Sequence, residues 1–490
     1  METANYKHAL GWGAAALAST TLFLLAMPPG YVALGAFIAW VPMFAVFSTA
    51  RSAKAVAALW FAVACVLAFV LSYPLIRYPI AAFGQPFALA FSLIAINSLW
   101  TAIPYALAAW ISHKLTARWS RAGHIATPFI FATCVTQFPV VFPAGLYLSL
   151  YQFPWAYGWA EFGGSWILSL WLFAFNWLIA QLVLSLWQKG QTPKGVIPTA
   201  IVLVITFVGV GHWRQGVWED REQAAITAGR VVKVALIQPA LPPENAAKVD
   251  LPFPENYTRE DLLLIPLSTE ALQQHPDIDL IVWPEFPLRI DYLTQPQPRS
   301  LINQWRSQNQ AALLFCSLEN VDPATDSTAS IAHFLYPSAA SSEMRSKKRL
   351  IPMSEVLPGE SFLPFMRDLF PQVNNLTKDE NFQPIELRKG VQIAPLICYD
   401  DMFPSVARRW VAEGADILVS MTNDSWFGDN RMQDMRLAAG MLNVMETRKP
   451  WVRVGNANNT LIIYPSGEAF DKELVRDYRR GWMVGQVPLL

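Results

Sequence analysis

The chain has 490 residues, enough for two or more domains, with a formal net charge of +0 that gives no reason to expect nucleic acid as a partner. Its charged fraction of 15% against 53% hydrophobic residues, with a mean hydropathy of +0.27, excludes an ordinary soluble protein, where charged residues make up about a quarter. Charge is rare before about residue 213 and ordinary after it, so the apolar excess belongs to the N-terminal half.

In chain order, apolar windows recur at residues 10–27, 31–48, 55–74, 83–111, 125–143, 164–187 and 196–212. Several reach the roughly 20 residues that a helix needs to cross a bilayer, which predicts about seven spans over residues 1–213. Pro139 and Pro143 interrupt the fifth. The first window resembles a signal peptide, but no clear cleavage site follows and another span comes at once, which favours a retained helix. With a cytoplasmic N-terminus, Lys7, Arg51, Lys54, Lys114, Arg118, Arg121, Lys189 and Lys194 all fall on the cytoplasmic side. Arg77 is the main exception. The positive-inside rule then places everything after Trp213 on the far side, the periplasm of a Gram-negative cell; an even number of spans would reverse this. The aromatic stretch Leu146 to Gly163, with Glu161, reads either as an interfacial belt or as a lipid-contacting rim beside an active site.

Residues 214–229 read as a linker, and from 230 to 490 the pattern becomes alternating strands and helices. Strands are expected at Val231–Gln238, Leu280–Glu285, Ala312–Leu318, Ile331–Tyr336, Gly390–Tyr399, Asp416–Met421 and Trp451–Ile463. Amphipathic or helical stretches fall at Leu301–Gln310, Ser405–Ala415 and residues 433–448. This alternation indicates an α/β sandwich of about 260 residues, large enough for its own core.

Chemistry-bearing residues sit at the ends of these apolar runs. Cys398 follows Ile393-Ala394-Pro395-Leu396-Ile397, Glu285 follows Ile281-Val282-Trp283-Pro284, and Lys347 lies between them in Ser346-Lys347-Lys348-Arg349. A thiol becomes a useful nucleophile when a neighbour stabilises or generates the thiolate. A carboxylate can take its proton and an ammonium can stabilise the oxyanion that follows. Taken singly, WPE is commonly a strand end, KKRL a solvated basic turn and Cys398 a core cysteine. Cys65, Cys134 and Cys316 read as small buried hydrophobes. A Cys316–Cys398 disulfide is conceivable but would quench the nucleophile. No histidine or cysteine spacing suggests a metal site, and no cofactor is expected.

Four blocks, VWPEFPLR (282–289), SKKRLIPMSEVLPGE (346–360), APLICYDDMFP (394–404) and SMTNDSWFG (420–428), resemble the nitrilase superfamily. Behind a polytopic helical domain they resemble the bacterial apolipoprotein N-acyltransferase family. The resemblance implies a polytopic α-helical membrane domain followed by a nitrilase-like αββα sandwich. It makes Glu285 the general base, Lys347 the family's lysine (from its distance to Leu350-Ile351-Pro352) and Cys398 the nucleophile. Glu355 matches an additional glutamate, Tyr399 the aromatic after the nucleophile, and Trp426 a loop near the active site. Asp400 stands where the family carries glutamate. The implied partners are a phospholipid acyl donor and a diacylated apolipoprotein whose N-terminal amine accepts the chain through a thioester enzyme intermediate. There are departures: no closing membrane helix after Gln486-Val487-Pro488-Leu489-Leu490, Val249 in place of a tryptophan, and a changed pattern over residues 428–446. These leave open an acyltransferase or amidase with a different acceptor, such as a secreted or conjugation-related protein.

Overall fold

A computed structural model describes residues 2–77, 80, 86–187, 195–240, 259–285, 292–322, 327–337, 341–371, 373–424, 431–457, 459–470 and 480–490. The chain divides into two compact units. The first comprises Met1–Ile76, Gln85–Gly216 and Asn430–Glu446; the second comprises Arg77–Gly84, Val217–Asp429 and Thr447–Leu490.

The first unit is helical. Among the described residues, four helices are long and apolar enough to cross a membrane: Ala53–Ile76, Phe87–Arg118, Gly164–Trp187 and Val196–Thr227. Val196–Thr227 runs unbroken through most of the expected linker. The first window forms the helix Glu2–Ala26, and the fifth forms Ser120–Gln137, which stops at Phe138 in extended conformation ahead of Pro139. A residue before proline is pushed out of the helical region, which accounts for the stop.

The second window departs from the expected span. It breaks into a 3-10 turn, Ala33–Phe37, and the nine-residue helix Val41–Thr49. At about 1.5 Å per residue this helix covers less than half of a ~30 Å hydrocarbon core. The break is stabilised from a distant helix: the Trp40 N–H donates to Asn176 Oδ1 (2.7 Å), and Asn176 Nδ2 donates to the Ala36 carbonyl (2.8 Å). Irregular backbone inside an apolar unit persists only where protein groups satisfy it in this way. Around the break, Trp40, Trp60, Phe44 and Phe131 form a buried aromatic core, with Trp60–Phe131 ring centroids 4.6 Å apart. The aromatic stretch 146–163 packs partly inside the first unit. Leu146 to Tyr151 are all buried, Tyr157 Oη donates to the Ala438 carbonyl (2.8 Å), and Glu161 pairs with Arg214.

The second unit is an α/β sandwich. One six-stranded sheet has the order β11-β1-β2-β3-β4-β5 and the other, five-stranded, has the order β10-β9-β8-β7-β6. The strands are β1 (Val231–Gln238), β2 (Leu280–Val282), β3 (Ala312–Asp322), β4 (Ser327–Leu335), β5 (Ser342–Ser346), β6 (Ile385–Arg388), β7 (Val391–Ile397), β8 (Ile417–Thr422), β9 (Trp451–Gly455), β10 (Leu461–Ile463) and β11 (Gly481–Pro488). The expected single strand Trp451–Ile463 is two, β9 and β10, paired antiparallel around a turn.

Alternation along β1 explains the layers. Val232, Val234 and Leu236 face a core shared with Ile393, Ile397, Val419 and Val452 of the other sheet. Ala235 and Ile237 face the opposite way, onto Leu264 and Ala271 of the helix Arg259–Gln274 and Ile302 and Trp305 of Pro296–Ser307. The helix Pro404–Ala412 buries Val406, Ala407 and Trp410 and packs against β7. Helix, sheet, sheet, helix is the αββα order expected from the sequence. β1, β2 and β3 run parallel, as do β7, β8 and β9. Ligands of α/β folds gather at the carboxyl ends of parallel strands, and Glu285 and Cys398 follow β2 and β7 there.

Candidate active site

Glu285 lies three residues past the end of β2 and is 4% exposed; its N–H donates to the carbonyl of Thr422, the last residue of β8 (3.4 Å). Lys347 directly follows β5, and its N–H donates to the Ser330 carbonyl of β4 (2.8 Å). Its side chain has no solvent exposure, which rules out the solvated basic turn. Its Nζ lies 2.6 Å from Glu355 Oε1 and 3.6 Å from Glu285 Oε1, so one buried ammonium bridges two carboxylates. Burial pulls this lysine's pKa down, but the charges of Glu355, Glu285 and Cys398 outweigh it and hold the group well above the ordinary lysine value. Lys347 is therefore a fixed cation at neutral pH.

Glu355 is itself held by the turn after Lys347. Its second oxygen accepts the Ile351 N–H (2.9 Å), and its own N–H donates to the Ile351 carbonyl (2.9 Å). The adjacent Lys348 goes elsewhere. Its ammonium pairs with Asp379 and lies 5.3 Å and 5.4 Å from the ring centroids of Phe382 and Trp410. The geometry thus separates two lysines that sequence alone leaves adjacent and similar.

Cys398 begins a 3-10 turn, Cys398–Met402, immediately after β7, with a φ of +49° and 7% exposure. A non-glycine residue in the left-handed region costs about 1–2 kcal/mol and persists only where neighbours over-determine it. Here Asp400 supplies part of that constraint. One carboxylate oxygen accepts the Ile397 N–H (3.0 Å) and the other accepts the Arg349 N–H (2.7 Å), with Lys348 N–H at 3.1 Å and 3.2 Å from the two. A single side chain therefore ties the turn bearing Cys398 to the segment bearing Lys347. Arg349 adds a second tie, its guanidinium 3.8 Å from the Phe403 ring centroid, while Tyr399 is buried against the same ring. Burial raises the Tyr399 phenol well above its ordinary value, so it stays neutral.

Burial also raises Asp400, to about 6, against the lowering by Lys347 and the three backbone N–H groups. With the unfolded pKa near ~3.9, Asp400 contributes stability that is full below about 4 and is lost as pH rises through about 6. The clamp, by contrast, needs the ionised form, which accepts on both oxygens. Acidifying from pH 7 to 5 should therefore weaken catalysis while this group's contribution to stability rises. Asp400→Asn turns an NH2 toward one of the backbone donors, an unsatisfied contact worth about 1–3 kcal/mol. We expect a Tm several degrees lower, kcat down about 10- to 100-fold, and loss of the acid limb near pH 6. A kcat–pH profile beside a melting curve checks both signs.

Of the expected residues, the structure brings Glu285, Lys347, Glu355, Cys398, Tyr399 and Asp400 into the second unit at the carboxyl ends of β2 and β7 and just after β5. Trp426 and Val249 lie outside the described residues. Cys316 and Cys398 are not joined in a disulfide; Cys316 is buried with Sγ 3.4 Å from Ser330 Oγ, while Cys65 and Cys134 are half-buried. Sequence reasoning missed a buried ionic set beside the turn: Arg453 of β9 with Asp401 and Asp424. The available signal was a lone arginine inside the apolar strand Trp451–Gly455.

The Carbon-nitrogen hydrolase family profile matches residues 233–485, and the chain belongs to that family. Within it, the similarity runs to apolipoprotein N-acyltransferases, from which the chain diverges. It is 25% identical over 315 residues to the apolipoprotein N-acyltransferase of Bdellovibrio bacteriovorus, covering 61% of this chain and 56% of that protein. It is 27% identical over 314 residues to apolipoprotein N-acyltransferase 1 of Treponema pallidum, covering 56% and 52%. The chain therefore spans about half the length of these relatives. Among solved structures, an amidase from Nesterenkonia sp. is similar over 52% of this chain and 90% of that one, at 16% identity and a TM-score of 0.39.

Proposed function

We propose that this protein is a membrane N-acyltransferase that moves a fatty acyl chain from a phospholipid to the N-terminal amine of a diacylated lipoprotein. The observation that carries the reading is the buried Lys347 ammonium bridging Glu285 and Glu355, on a segment that Asp400 ties to the turn bearing Cys398. In the first half-reaction Glu285 takes the Cys398 proton and the thiolate attacks the ester carbonyl. Lys347, with a backbone N–H after Cys398, stabilises the oxyanion. The tetrahedral adduct collapses by expelling the glycerol oxygen, which recovers the proton from Glu285 and leaves as lysophospholipid. In the second half-reaction the acceptor amine attacks the thioester, Glu285 takes a proton from that amine, and Cys398 leaves as the thiol once reprotonated. Glu355 fixes the position of the lysine throughout.

Four helices able to cross a bilayer give a physical reason for the arrangement, because both proposed substrates are lipid-anchored. Confining them with the enzyme to one surface replaces a three-dimensional search with lateral diffusion. Three apolar helices, Ser120–Gln137, Gly164–Trp187 and Val196–Thr227, follow the basic residues Arg51, Lys54, Lys114, Arg118 and Arg121, so with that cluster cytoplasmic and each helix a crossing the catalytic unit lies on the periplasmic side of the inner membrane, whatever the second window does.

Acceptor choice provides the test. Purified protein in phospholipid micelles is given a diacylated lipopeptide with a free α-amine, the same peptide N-acetylated, a simple amide, and water alone. The account expects transfer to the free amine to exceed every other channel by at least about 100-fold. Turnover of the amide or of water at comparable rates would instead assign an amidase or an acyltransferase with another acceptor.

A further inference from the structure

Beyond the residues that face the reaction, one linked set of charged side chains in the second unit has almost no solvent exposure: Arg453 at 0%, Asp401 at 0% and Asp424 at 1%. Arg453 sits on β9 opposite Ser420 of β8. Its guanidinium spreads in three directions. Nε donates to Asp401 Oδ2 (3.2 Å), Nη2 to Asp424 Oδ2 (2.6 Å), and Nη1 to the Asn459 carbonyl (3.0 Å). Each partner belongs to a different piece of chain. Asp401 lies within the Cys398–Met402 turn, Asp424 lies two residues beyond β8, and Asn459, itself at a φ of +56°, lies in the turn between β9 and β10.

The Asp424 tie reaches the base as well. Thr422, the end of β8, receives the Glu285 N–H and the Asn456 N–H on its carbonyl, and its Oγ1 donates to the Val454 carbonyl (3.2 Å). Holding Asp424 therefore holds the backbone that carries Glu285. The planar, permanently charged fork serves two carboxylates and a carbonyl at once in fixed directions. Burying so many charges away from solvent is unfavourable unless geometry and hydrogen bonding compensate, so such a set is weak evidence for stability as such. Its location, at the carboxyl ends of β7, β8 and β9, suggests a task instead.

We infer that Arg453 is a positioning residue for the nucleophile and the base: through Asp401 and Asp424 it holds the left-handed Cys398 turn and the β8 exit in register with Lys347. This rests on the proposal that Cys398 is the nucleophile. A loosened turn would carry Cys398 away from the Lys347 ammonium, which favours the thiolate.

The test uses the full-length protein in detergent, with Arg453→Lys, which keeps the charge but not the fork, and Asp401→Asn, which removes one arm at constant size. The first readout is the pH profile of Cys398 alkylation by iodoacetamide, followed on the Cys398 peptide by mass spectrometry because three other cysteine thiols are present. The second is the division of acyl transfer into kcat and KM. In both variants the alkylation midpoint should move up from its wild-type position, because the thiolate loses the Lys347 ammonium beside it. A displacement of the reacting groups by about 1 Å corresponds to a kcat loss of about 100-fold, with KM changed less than about twofold. If folded Asp401→Asn keeps the wild-type midpoint and kcat, the inference is overturned, even where Arg453→Lys fails to fold. Alkylation needs no substrate, so a wild-type protein that transfers no acyl group refutes the proposed function without deciding this one.

Discussion

Lys347→Met should abolish acyl transfer, with kcat down about 1,000-fold or more, while the protein remains folded. Removing one preorganised oxyanion donor commonly costs 10²- to 10³-fold, and here the same group also favours the thiolate. Methionine matches the lysine stem in an unexposed site but leaves Glu285 and Glu355 facing one another without a cation. Breaking a buried pair costs about 3–5 kcal/mol when the orphaned charge stays ionised. Two facing carboxylates escape part of that cost by sharing a proton, as like charges at short range do. The expected signature is therefore a moderate fall in Tm that shrinks at lower pH, alongside near-complete loss of activity. Steady-state kinetics with thermal melts at pH 5 and pH 8 check it; activity within tenfold of wild type would remove Lys347 from the chemistry.

The second large effect is expected at the base. Glu285→Gln preserves the shape of the side chain and leaves its backbone contact with Thr422 untouched. It removes the only proposed acceptor for the thiol proton and for the amine proton. General-base removal typically costs 10²- to 10⁴-fold. Because the proposed mechanism uses Glu285 in both half-reactions, neither a burst of lysophospholipid nor an accumulated thioester should survive in the variant. Rapid-quench measurement of lysophospholipid release decides between roles. A full burst followed by slow turnover would confine Glu285 to the aminolysis step.

The sequence exposed the centre of the fold and concealed its margins. β1, β7 and β8 carry near-continuous apolar runs because they are buried on both faces, and such runs are readable without an alignment. β5, β6 and β11 went unrecognised, and β10 was merged with β9. All four are edge strands of their sheets. Edge strands are short, mixed in polarity and paired on one side only, so their periodic signal is weak. The second membrane window misled for a different reason. Its composition suits a span, and the break depends on Asn176, which lies 136 residues from Trp40.

The candidate site divides the same way. Glu285 and Cys398 were legible because each puts a reactive side chain just after an apolar strand. Glu355 and Asp400 were named from family resemblance, but their work is tertiary: one grips the lysine, and the other joins two chain segments about 50 residues apart in sequence. Arg453 was overlooked as one charge in an apolar strand, although a buried arginine demands partners and therefore marks a constrained place.

The central claim is that Cys398 carries the acyl group. Full-length protein incubated with phospholipid labelled in its acyl chain, then denatured and treated with neutral hydroxylamine, tests it most directly. The account predicts one equivalent of label, released by hydroxylamine, located on the Cys398 peptide and absent in Cys398→Ala. Label that persists in Cys398→Ala, or that resists hydroxylamine, would contradict it.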